Sequence, residues 1–261
     1  MARIITLTTD FGVGSPYVAA MKGVILSINP AATLVDISHA IPPQDIRQGA
    51  LSLAEATPWF PPQTIHVAVV DPGVGSSRKI VYARMGEHDF IAPDNGLLSR
   101  LARDRRPSTI RTVTEPEFWL PAVSATFHGR DIMAPLAARL SLGLEPSRLG
   151  PPQQELVELS WPEARVTAKK IEGLVQSIDS FGNLITNIPA DALVNVPRGE
   201  DTAIVCDEHE TRGIFATYAE QPPMTLIALV GSSGHLELAI VDDSAAIMLG
   251  VRVGTPISVT W

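Results

Sequence analysis

The sequence has little cysteine, few aromatic residues and no concentrated positive charge. Its single cysteine, Cys206, excludes an internal disulfide and a cysteine-rich zinc site. The formal net charge is -8 and the only basic cluster is the short segment 103–106, so binding through phosphate neutralisation is not expected. No apolar run is long enough to cross a bilayer, and no secretory signal pattern is recognised. We therefore expect a cytoplasmic protein that binds neither nucleic acid nor a membrane.

What the sequence does contain is enough apolar material for a full hydrophobic core. It has 261 residues, of which 45% are hydrophobic and 18% charged. The apolar fraction excludes a disordered chain. The length allows one large domain or two modest ones.

The first half alternates between strand and helix patterns. Short β-branched or apolar runs at 4–8, 33–37 and 65–70 predict strands. Ser15 followed by Pro16 predicts the start of one helix, and Asp45 the start of another. This alternation indicates an α/β domain with a mostly parallel sheet. Two further strands are predicted near residues 79–84 and 89–91, and two further helices near residues 96–103 and 131–142.

The character of the chain changes after the Pro151-Pro152 pair. Short strand patterns separated by turn residues then predict a smaller β-rich domain, a sandwich or a barrel. A short helix is expected near residues 245–249. We predict an α/β N-terminal domain at 1–160 and a β-rich C-terminal domain at 166–261. The predicted strands of the second domain are 171–177, 202–206, 226–230, 236–241 and 256–260.

Polar residues follow the first three predicted strands. Asp10, His39 and Asp71 come at these strand ends, where ligands bind in open α/β sheets. Asp71 also begins a glycine-rich loop that reaches Arg78. One acidic residue at a strand end is more often a turn former or a helix cap. Three polar strand ends together, one beside a glycine-rich loop with an arginine, favour a site.

Nucleotide and metal sites fit the pattern less well. The glycine-rich loops lack a third glycine and no Gly-Lys-Ser/Thr sequence is present, so a dinucleotide or triphosphate site is not expected. Asp10, His39, Asp71 and His128 are residue types that bind metals, but they lack the short spacing typical of zinc ligands. His128 precedes a glycine at a predicted helix entrance, where packing constrains it little. It is therefore a candidate functional residue, although a lone histidine is more often structural.

Two loops of the second domain also have alternative interpretations. Asp179, Phe181 and Asn183 lie in one predicted turn, which is either an ordinary Asx turn or a site for a flat heteroaromatic ligand. In the second case Phe181 would stack on the ligand and Asn183 would read its edge. Ser232 and Ser233 lie between glycines in a small polar loop, which is equally a turn or a ligand clasp.

Six motifs, taken in their order along the chain, resemble those of one enzyme family. They are TTDFG at 8–12, VDISH at 35–39, VDPGVG at 70–75, APDNG at 92–96, TFHGRD at 126–131 and DSFGN at 179–183. Together they resemble the S-adenosyl-L-methionine hydroxide adenosyltransferases. These S-adenosylmethionine hydrolases are related to fluorinating and chlorinating enzymes that use the same substrate. With the loop at 231–236, the resemblance covers nearly the whole chain.

The resemblance implies an architecture and a reaction. It implies an α/β domain joined to a β-barrel-like domain, assembled as a homotrimer with substrate between domains of neighbouring subunits. The implied reaction is attack of water or hydroxide on C5′ of the ribose, which gives adenosine and L-methionine. The leaving group is a neutral thioether, so the chemistry needs no general acid. The resemblance implies no metal and no organic cofactor.

The same resemblance implies roles for individual residues. Asp71, Arg78 and His128 would handle the hydroxide as the catalytic set. The implied substrate-binding residues are Asp10 at the ribose hydroxyls, Phe181 and Asn183 at the adenine, and Asp179, Ser232 and Ser233 at the methionine end, together with Asp71.

Three other functions stay open at this stage. A halogenase would use the same substrate, but the halogenating relatives bind halide without a charged set like Asp71, Arg78 and His128. A non-catalytic regulator that binds adenosine or S-adenosylmethionine would have the same Asp10, Phe181 and Asn183. A metal-dependent hydrolase would lose activity in chelator. The pair Ser232-Ser233 replaces a serine–arginine arrangement of the fluorinating enzymes, which leaves recognition of the methionine carboxylate open.

Overall fold

The computed structural model describes residues 3–261, and they divide into two compact units. The division falls between Ser160 and Trp161. The first unit combines helices with a single sheet, and the second consists mainly of antiparallel strands. Among the described residues, none of the helices has the length and apolar character needed to span a membrane.

The first unit is built on a six-stranded sheet, which is mostly parallel as predicted. Its spatial order is β2-β1-β3-β5-β4-β6, in which the first four strands run parallel and β4 runs antiparallel to both neighbours. The strands are β1 (Ile4–Thr9), β2 (Thr33–Ser38), β3 (Ile65–Val69), β4 (Ile80–Met85), β5 (His88–Pro93) and β6 (Thr109–Thr112). The strand β6 is not predicted by the sequence, because four residues show too little periodicity.

In the described part of the first unit, residues 3–160, four α-helices cover the sheet. They are α1 (Pro16–Ile28), α2 (Ile46–Ala56), α3 (Ser99–Asp104) and α4 (Ala134–Ser141). The predicted starts of α1 and α2 are confirmed, since Ser15 and Asp45 cap them through their side chains. The helix predicted from 131 begins earlier, because a π-helical turn at Gly129–Met133 precedes α4. The start of α3 lies three residues beyond its predicted start at 96.

Apolar residues are buried on both faces of this sheet. Ile5, Leu7 and Val67 belong to one core cluster with residues of α1 and α4. Ala68 and Val70 belong to a second cluster with residues of α2 and the segment before α3. Each fully buried Leu or Ile contributes about 1.5–3 kcal/mol. The double coverage explains why the central strands are continuous apolar runs.

The second unit is an antiparallel sheet that nearly closes into a barrel. Its order is β11-β10-β14-β8-β9-β13-β12, with β7 paired to β8. The Thr211 hydroxyl on β11 donates to the Leu226 carbonyl on β12, 2.7 Å away, and so links the two ends of this order. The elements are β7 (Arg165–Val166), β8 (Lys170–Ile178), β9 (Leu184–Pro189), β10 (Ala203–Cys206), β11 (His209–Arg212), β12 (Leu226–Val230), β13 (His235–Ile240), β14 (Pro256–Thr260) and α5 (Ala245–Leu249).

Candidate active site

The site of the first unit forms where two neighbouring strands end. β1 and β3 pair in parallel, so Asp10 and Asp71 follow them at the same edge of the sheet. A cavity of about 270 Å³ opens there. It is lined by Asp10, Phe11, Gln44, Val69, Asp71, Pro72, Val74, Thr126, Phe127, His128 and Gly129.

Asp71, Arg78 and His128 form one hydrogen-bonded set. Arg78 Nε lies 2.9 Å from each carboxylate oxygen of Asp71, and Arg78 Nη2 lies 2.9 Å from His128 Nδ1. The side chains of Asp71 and Arg78 are 5% and 10% exposed. A bridged pair with so little solvent is held in one geometry, because charge-assisted bonds strengthen away from water.

The bond to Arg78 fixes the proton on the His128 ring. A guanidinium only donates, so Nδ1 accepts and the proton of the neutral ring is on Nε2. Burial lowers the pKa of His128, and the charge of Arg78 lowers it further, against smaller opposite effects of Asp71 and Asp131. The imidazole is therefore neutral at pH 7 and offers one N–H donor.

The loop between Asp71 and Arg78 is closed by local hydrogen bonds. Ser76 Oγ donates to the Gly73 carbonyl at 2.6 Å and accepts from the Arg78 N–H at 3.2 Å. Gly75 has φ +78° and approaches the backbone of Ala125, where a Cβ would collide with the carbonyl oxygen. These contacts bring Arg78 back towards the strand end that carries Asp71.

The π-helical turn holds the segment that contains His128. Asp131 is fully buried and accepts the Ser124 N–H at 2.8 Å and Arg130 Nε at 2.6 Å. A Cβ on Gly129 would lie 3.4 Å from Met21 Sδ and from Val69, so the turn packs closely on α1 and β3. Single π-helical turns next to or within α-helices often mark functional sites.

Gln44 is a site residue that the sequence does not reveal. Its backbone N–H donates to Asp10 Oδ2 at 2.8 Å, and its φ is +66°. This bond occupies one oxygen of Asp10 and leaves the other free for a ligand. The contact depends on a left-handed backbone conformation at a residue type that rarely adopts it, so no sequence pattern indicates it.

His39 follows β2 but is not among the residues that line the cavity. Its Nδ1 lies 2.9 Å from the Thr9 hydroxyl, and its Nε2 lies 3.0 Å from Asp36 Oδ1. The Gly12 N–H also donates to its carbonyl at 2.8 Å. His39 thus braces the end of β1, and the structure brings together Asp10, Asp71, Arg78 and His128 without it.

In the second unit, Asp179, Phe181 and Asn183 share one turn. Asp179 Oδ1 accepts the backbone N–H groups of Phe181 and Asn183, each at 2.9 Å, and Oδ2 accepts Asn183 Nδ2 at 3.0 Å. The Asx-turn interpretation is therefore correct as a description of the backbone. The Phe181 side chain is nevertheless 77% exposed, which leaves a flat apolar face available.

Ser232 and Ser233 lie in the tight turn between β12 and β13. The Gly234 N–H donates to the Gly231 carbonyl at 3.0 Å, and Gly231 lies against the buried carboxylate of Glu237. Burial raises the pKa of Glu237, the hydrogen bond from the Tyr218 hydroxyl lowers it, and the charge of Asp179 raises it. Ser232 is exposed, whereas Ser233 Oγ is buried and has no hydrogen-bond partner within residues 3–261.

Within residues 3–261, no three His, Cys, Asp or Glu side chains are grouped as metal ligands would be. The fold and the site together define a two-domain protein with a small-molecule site at the strand ends of its α/β unit.

Comparison with known families identifies this class more closely. The family model for the SAM hydroxide adenosyltransferase N-terminal domain matches residues 5–150, and the model for the C-terminal domain matches residues 173–258. The chain belongs to the SAM hydroxide adenosyltransferase family, which confirms the resemblance seen in the sequence.

Several relatives are similar over almost the whole chain. The (R)-S-adenosyl-L-methionine hydrolase of Thermus thermophilus is 38% identical, covering 98% of each chain, and that of Salinispora tropica is 37% identical, covering 98% of this chain and 97% of its own. A fluorinase of Actinopolyspora mzabensis is 26% identical. A crystal structure of a conserved protein from Thermotoga maritima matches with TM-score 0.93 and 34% identity, covering 98% of this chain and 100% of its own.

Proposed function

We propose that this protein hydrolyses S-adenosyl-L-methionine to adenosine and L-methionine. The observation that carries the proposal is the hydrogen-bonded Asp71–Arg78–His128 set beside the cavity at the ends of β1 and β3. Membership of the SAM hydroxide adenosyltransferase family supports it. So do the names of relatives at 36–38% identity, each an (R)-S-adenosyl-L-methionine hydrolase.

The reaction needs an aligned nucleophile more than a proton donor. The oxygen of water or hydroxide forms a bond to C5′ of the ribose while the C5′–S bond breaks. The electron pair of the C5′–S bond stays on sulfur. The sulfonium thereby becomes the neutral thioether of methionine, and a proton of the attacking water passes to solvent. The reaction therefore requires a nucleophile that is aligned with the C5′–S bond and kept apart from competing water.

Arg78 and His128 suit a hydroxide nucleophile. The Nε2–H of His128 donates a hydrogen bond to the attacking oxygen, and the guanidinium adds positive charge next to it. Asp71 holds the guanidinium through both of its oxygens, which fixes the direction of the donors. In this division of roles His128 stabilises the hydroxide, and Asp71 orients the pair.

The other site residues are proposed to hold the substrate. Asp10, with one oxygen held by the Gln44 N–H, binds the ribose hydroxyls through its free oxygen. Asp71 contributes to substrate binding as well as to catalysis. Phe181 stacks on the adenine and Asn183 hydrogen-bonds its edge. Asp179, Ser232 and Ser233 hold the methionine end.

We further propose that the enzyme works without a metal or an organic cofactor, as a cytoplasmic homotrimer with sites at the subunit interfaces. The reaction needs no general acid, because the sulfonium leaves as a neutral thioether. This supports an enzyme that works without a metal or an organic cofactor. The single cysteine, which makes no use of an oxidising compartment, supports the cytoplasmic location, and the family resemblance alone supports the homotrimer.

The proposal is tested by product analysis. Purified protein is incubated with S-adenosylmethionine in chelator, with and without chloride, and the nucleosides are separated by chromatography. We expect adenosine over many turnovers and no 5′-halo nucleoside in either buffer. Intact substrate with nucleoside recovered from the protein would indicate a binding protein instead. A 5′-chloro nucleoside would indicate a halogenase, and loss of activity in chelator a metal-dependent hydrolase.

A further inference from the structure

Three aromatic rings form a mutual contact beside the cavity of the first unit. The ring centroids of Phe11 and Phe127 are 5.7 Å apart, those of Phe11 and Tyr17 are 5.8 Å apart, and those of Tyr17 and Phe127 are 5.2 Å apart. All three pairs meet edge to face, at interplanar angles of 74–83°. This is a favourable arrangement of aromatic quadrupoles, so each ring fixes the position of the other two.

The three rings belong to three separate segments. Phe11 directly follows Asp10, and Phe127 directly precedes His128. Phe11 and Phe127 line the cavity, whereas Tyr17 is not among its lining residues. Tyr17 lies in the first turn of α1, where its N–H donates to the capping Ser15 hydroxyl at 3.3 Å. From outside the cavity, Tyr17 therefore contacts the sequence neighbour of Asp10, a proposed substrate-binding residue. It also contacts the sequence neighbour of His128, a proposed catalytic residue.

We propose that Tyr17 is a positioning residue, whose ring sets the place of His128 relative to Asp10 through Phe127 and Phe11. The proposal rests on the proposed function for its catalytic consequence. The geometry that it invokes lies entirely within the first unit.

The ring of Tyr17, rather than its hydroxyl, makes the contacts. In the described part of the chain no hydrogen bond to the Tyr17 hydroxyl is found, and the side chain is 53% exposed. A half-exposed ring adds little to the buried core, so its removal should leave folding intact. The Phe127 ring also lies 4.8 Å from the Arg130 guanidinium, which pairs with the buried Asp131. Displacement of Phe127 would therefore be passed to the whole turn that contains His128.

The first test compares Tyr17→Leu with Tyr17→Phe in the full-length protein. We expect Tyr17→Leu to lower kcat at least about tenfold, because a displacement of about 1 Å at a reacting group can cost about 10²-fold. Tyr17→Phe should keep kcat within about twofold of wild type, since it retains the ring. Trp59→Leu is the matched control and should leave kcat unchanged, because Trp59 is 86% exposed and has no ring contact among residues 3–261. Equal loss in Tyr17→Leu and Tyr17→Phe would overturn the proposal.

A double-mutant cycle shows whether Tyr17 acts through His128. In the His128→Ala background, measured under single-turnover conditions, Tyr17→Leu should change the rate less than about twofold, since coupled residues are not additive. The same tenfold loss in both backgrounds would contradict the proposal. If Tyr17→Leu does not fold, Tyr17→Met replaces it, because methionine keeps apolar bulk without a ring.

A second readout separates this inference from the proposed function. The His128 imidazole signals are followed by NMR without substrate and assigned by their loss in His128→Ala. Tyr17→Leu should shift these signals and raise the pKa of His128 towards its ordinary value, because a loosened segment exposes the ring. Tyr17→Phe should leave them in place. Unchanged signals in Tyr17→Leu would overturn the positioning role, whereas failure of the wild type to hydrolyse S-adenosylmethionine would overturn only the function.

Discussion

At the scale of single residues, Arg78 determines the hydrogen bonding of the candidate site. It is a permanent cation that only donates, so it binds both oxygens of Asp71 and compels His128 Nδ1 to accept. One side chain thus fixes a carboxylate, a histidine tautomer and the direction of a histidine pKa shift. The account gives these three residues a role in attack by the nucleophile, distinct from the binding role of Asp10.

That distinction predicts opposite kinetic effects. His128→Ala and Arg78→Ala should each lower turnover by about 10²–10⁴-fold while adenosine binds nearly as in the wild type, because these groups act on the nucleophile. Asp10→Ala should first weaken binding of adenosine. Steady-state kinetics and calorimetric titration with adenosine measure the two effects. A His128→Ala variant with normal turnover and poor adenosine binding would reverse the assigned roles.

The identity of the site residues is largely predictable from sequence, but their connections are not. Asp71, Arg78 and His128 are marked by a strand end, a glycine-rich loop and a helix entrance. Gln44 is not predictable, because it acts through a backbone N–H that depends on a φ of +66°. Likewise His39 has the same strand-end signal as Asp10, yet its ring hydrogen-bonds to Thr9, lies close to the Asp36 carboxylate and does not line the cavity.

At the scale of elements, the site depends on the loop that follows β3 and on the π-helical turn before α4. Gly75 lies between them, since its left-handed backbone runs against the carbonyl of Ala125. The sequence predicts a glycine-rich loop here, but only the structure shows which of its glycines has no room for a side chain.

Gly75→Ala should therefore disturb both stability and activity. A side chain at φ +78° costs about 1–2 kcal/mol, and the contact with the Ala125 carbonyl oxygen adds to this cost. We expect a loss of at least about 1 kcal/mol in the free energy of unfolding and a clear fall in turnover, as Arg78 is displaced. Urea unfolding and kinetics measure both. Gly14→Ala is the control, because no atom lies within 4 Å of its Cβ. Equal stability of the two variants would contradict this interpretation.

The sequence predicts the elements that carry a strong local signal. α1 begins and ends where Ser15 and Asn29 indicate, because capping chemistry is local. The sequence does not predict β6, β9 and β11, which depend on pairing with β4, with β8 and β13, and with β10, respectively. The π-helical turn was missed because its packing on α1 and β3 fixes it.

At the scale of the whole molecule, buried histidines make the first unit sensitive to acid. His66 on β3 is fully buried, with Nδ1 2.7 Å from the Thr6 hydroxyl and its ring stacked on Phe90. Burial, together with the charge of His88 and against the opposite effect of Asp89, lowers the pKa of His66 to about 3. The unfolded chain binds a proton at about pH 6.5, so stability falls as the pH decreases from there towards 3.

The free energy of unfolding should accordingly fall by about 1.4 kcal/mol per pH unit from His66 alone between pH 6 and 4.5. Urea unfolding at several pH values measures this slope. In His66→Phe this slope should be smaller by the contribution of one bound proton. The phenyl ring keeps the stacking on Phe90 but does not titrate. An unchanged slope in His66→Phe would show that other groups cause the acid sensitivity.

Assembly is the second prediction at this scale. If the protein is a homotrimer, sedimentation and native mass spectrometry should give about three times the subunit mass of 27.9 kDa. Dilution to dissociated subunits should abolish turnover, because the proposed sites lie at the subunit interfaces. Full activity of a monomer would contradict the proposed assembly.

The central claim is that oxygen from water attacks C5′ of the ribose, and isotope labelling tests it most directly. S-adenosylmethionine is hydrolysed in water enriched in ¹⁸O, and both products are analysed by mass spectrometry. The account predicts one ¹⁸O atom in adenosine, on the 5′ carbon, and none in methionine. Label in methionine, or adenosine without label, would contradict attack by water at C5′ and with it the role given to Asp71, Arg78 and His128.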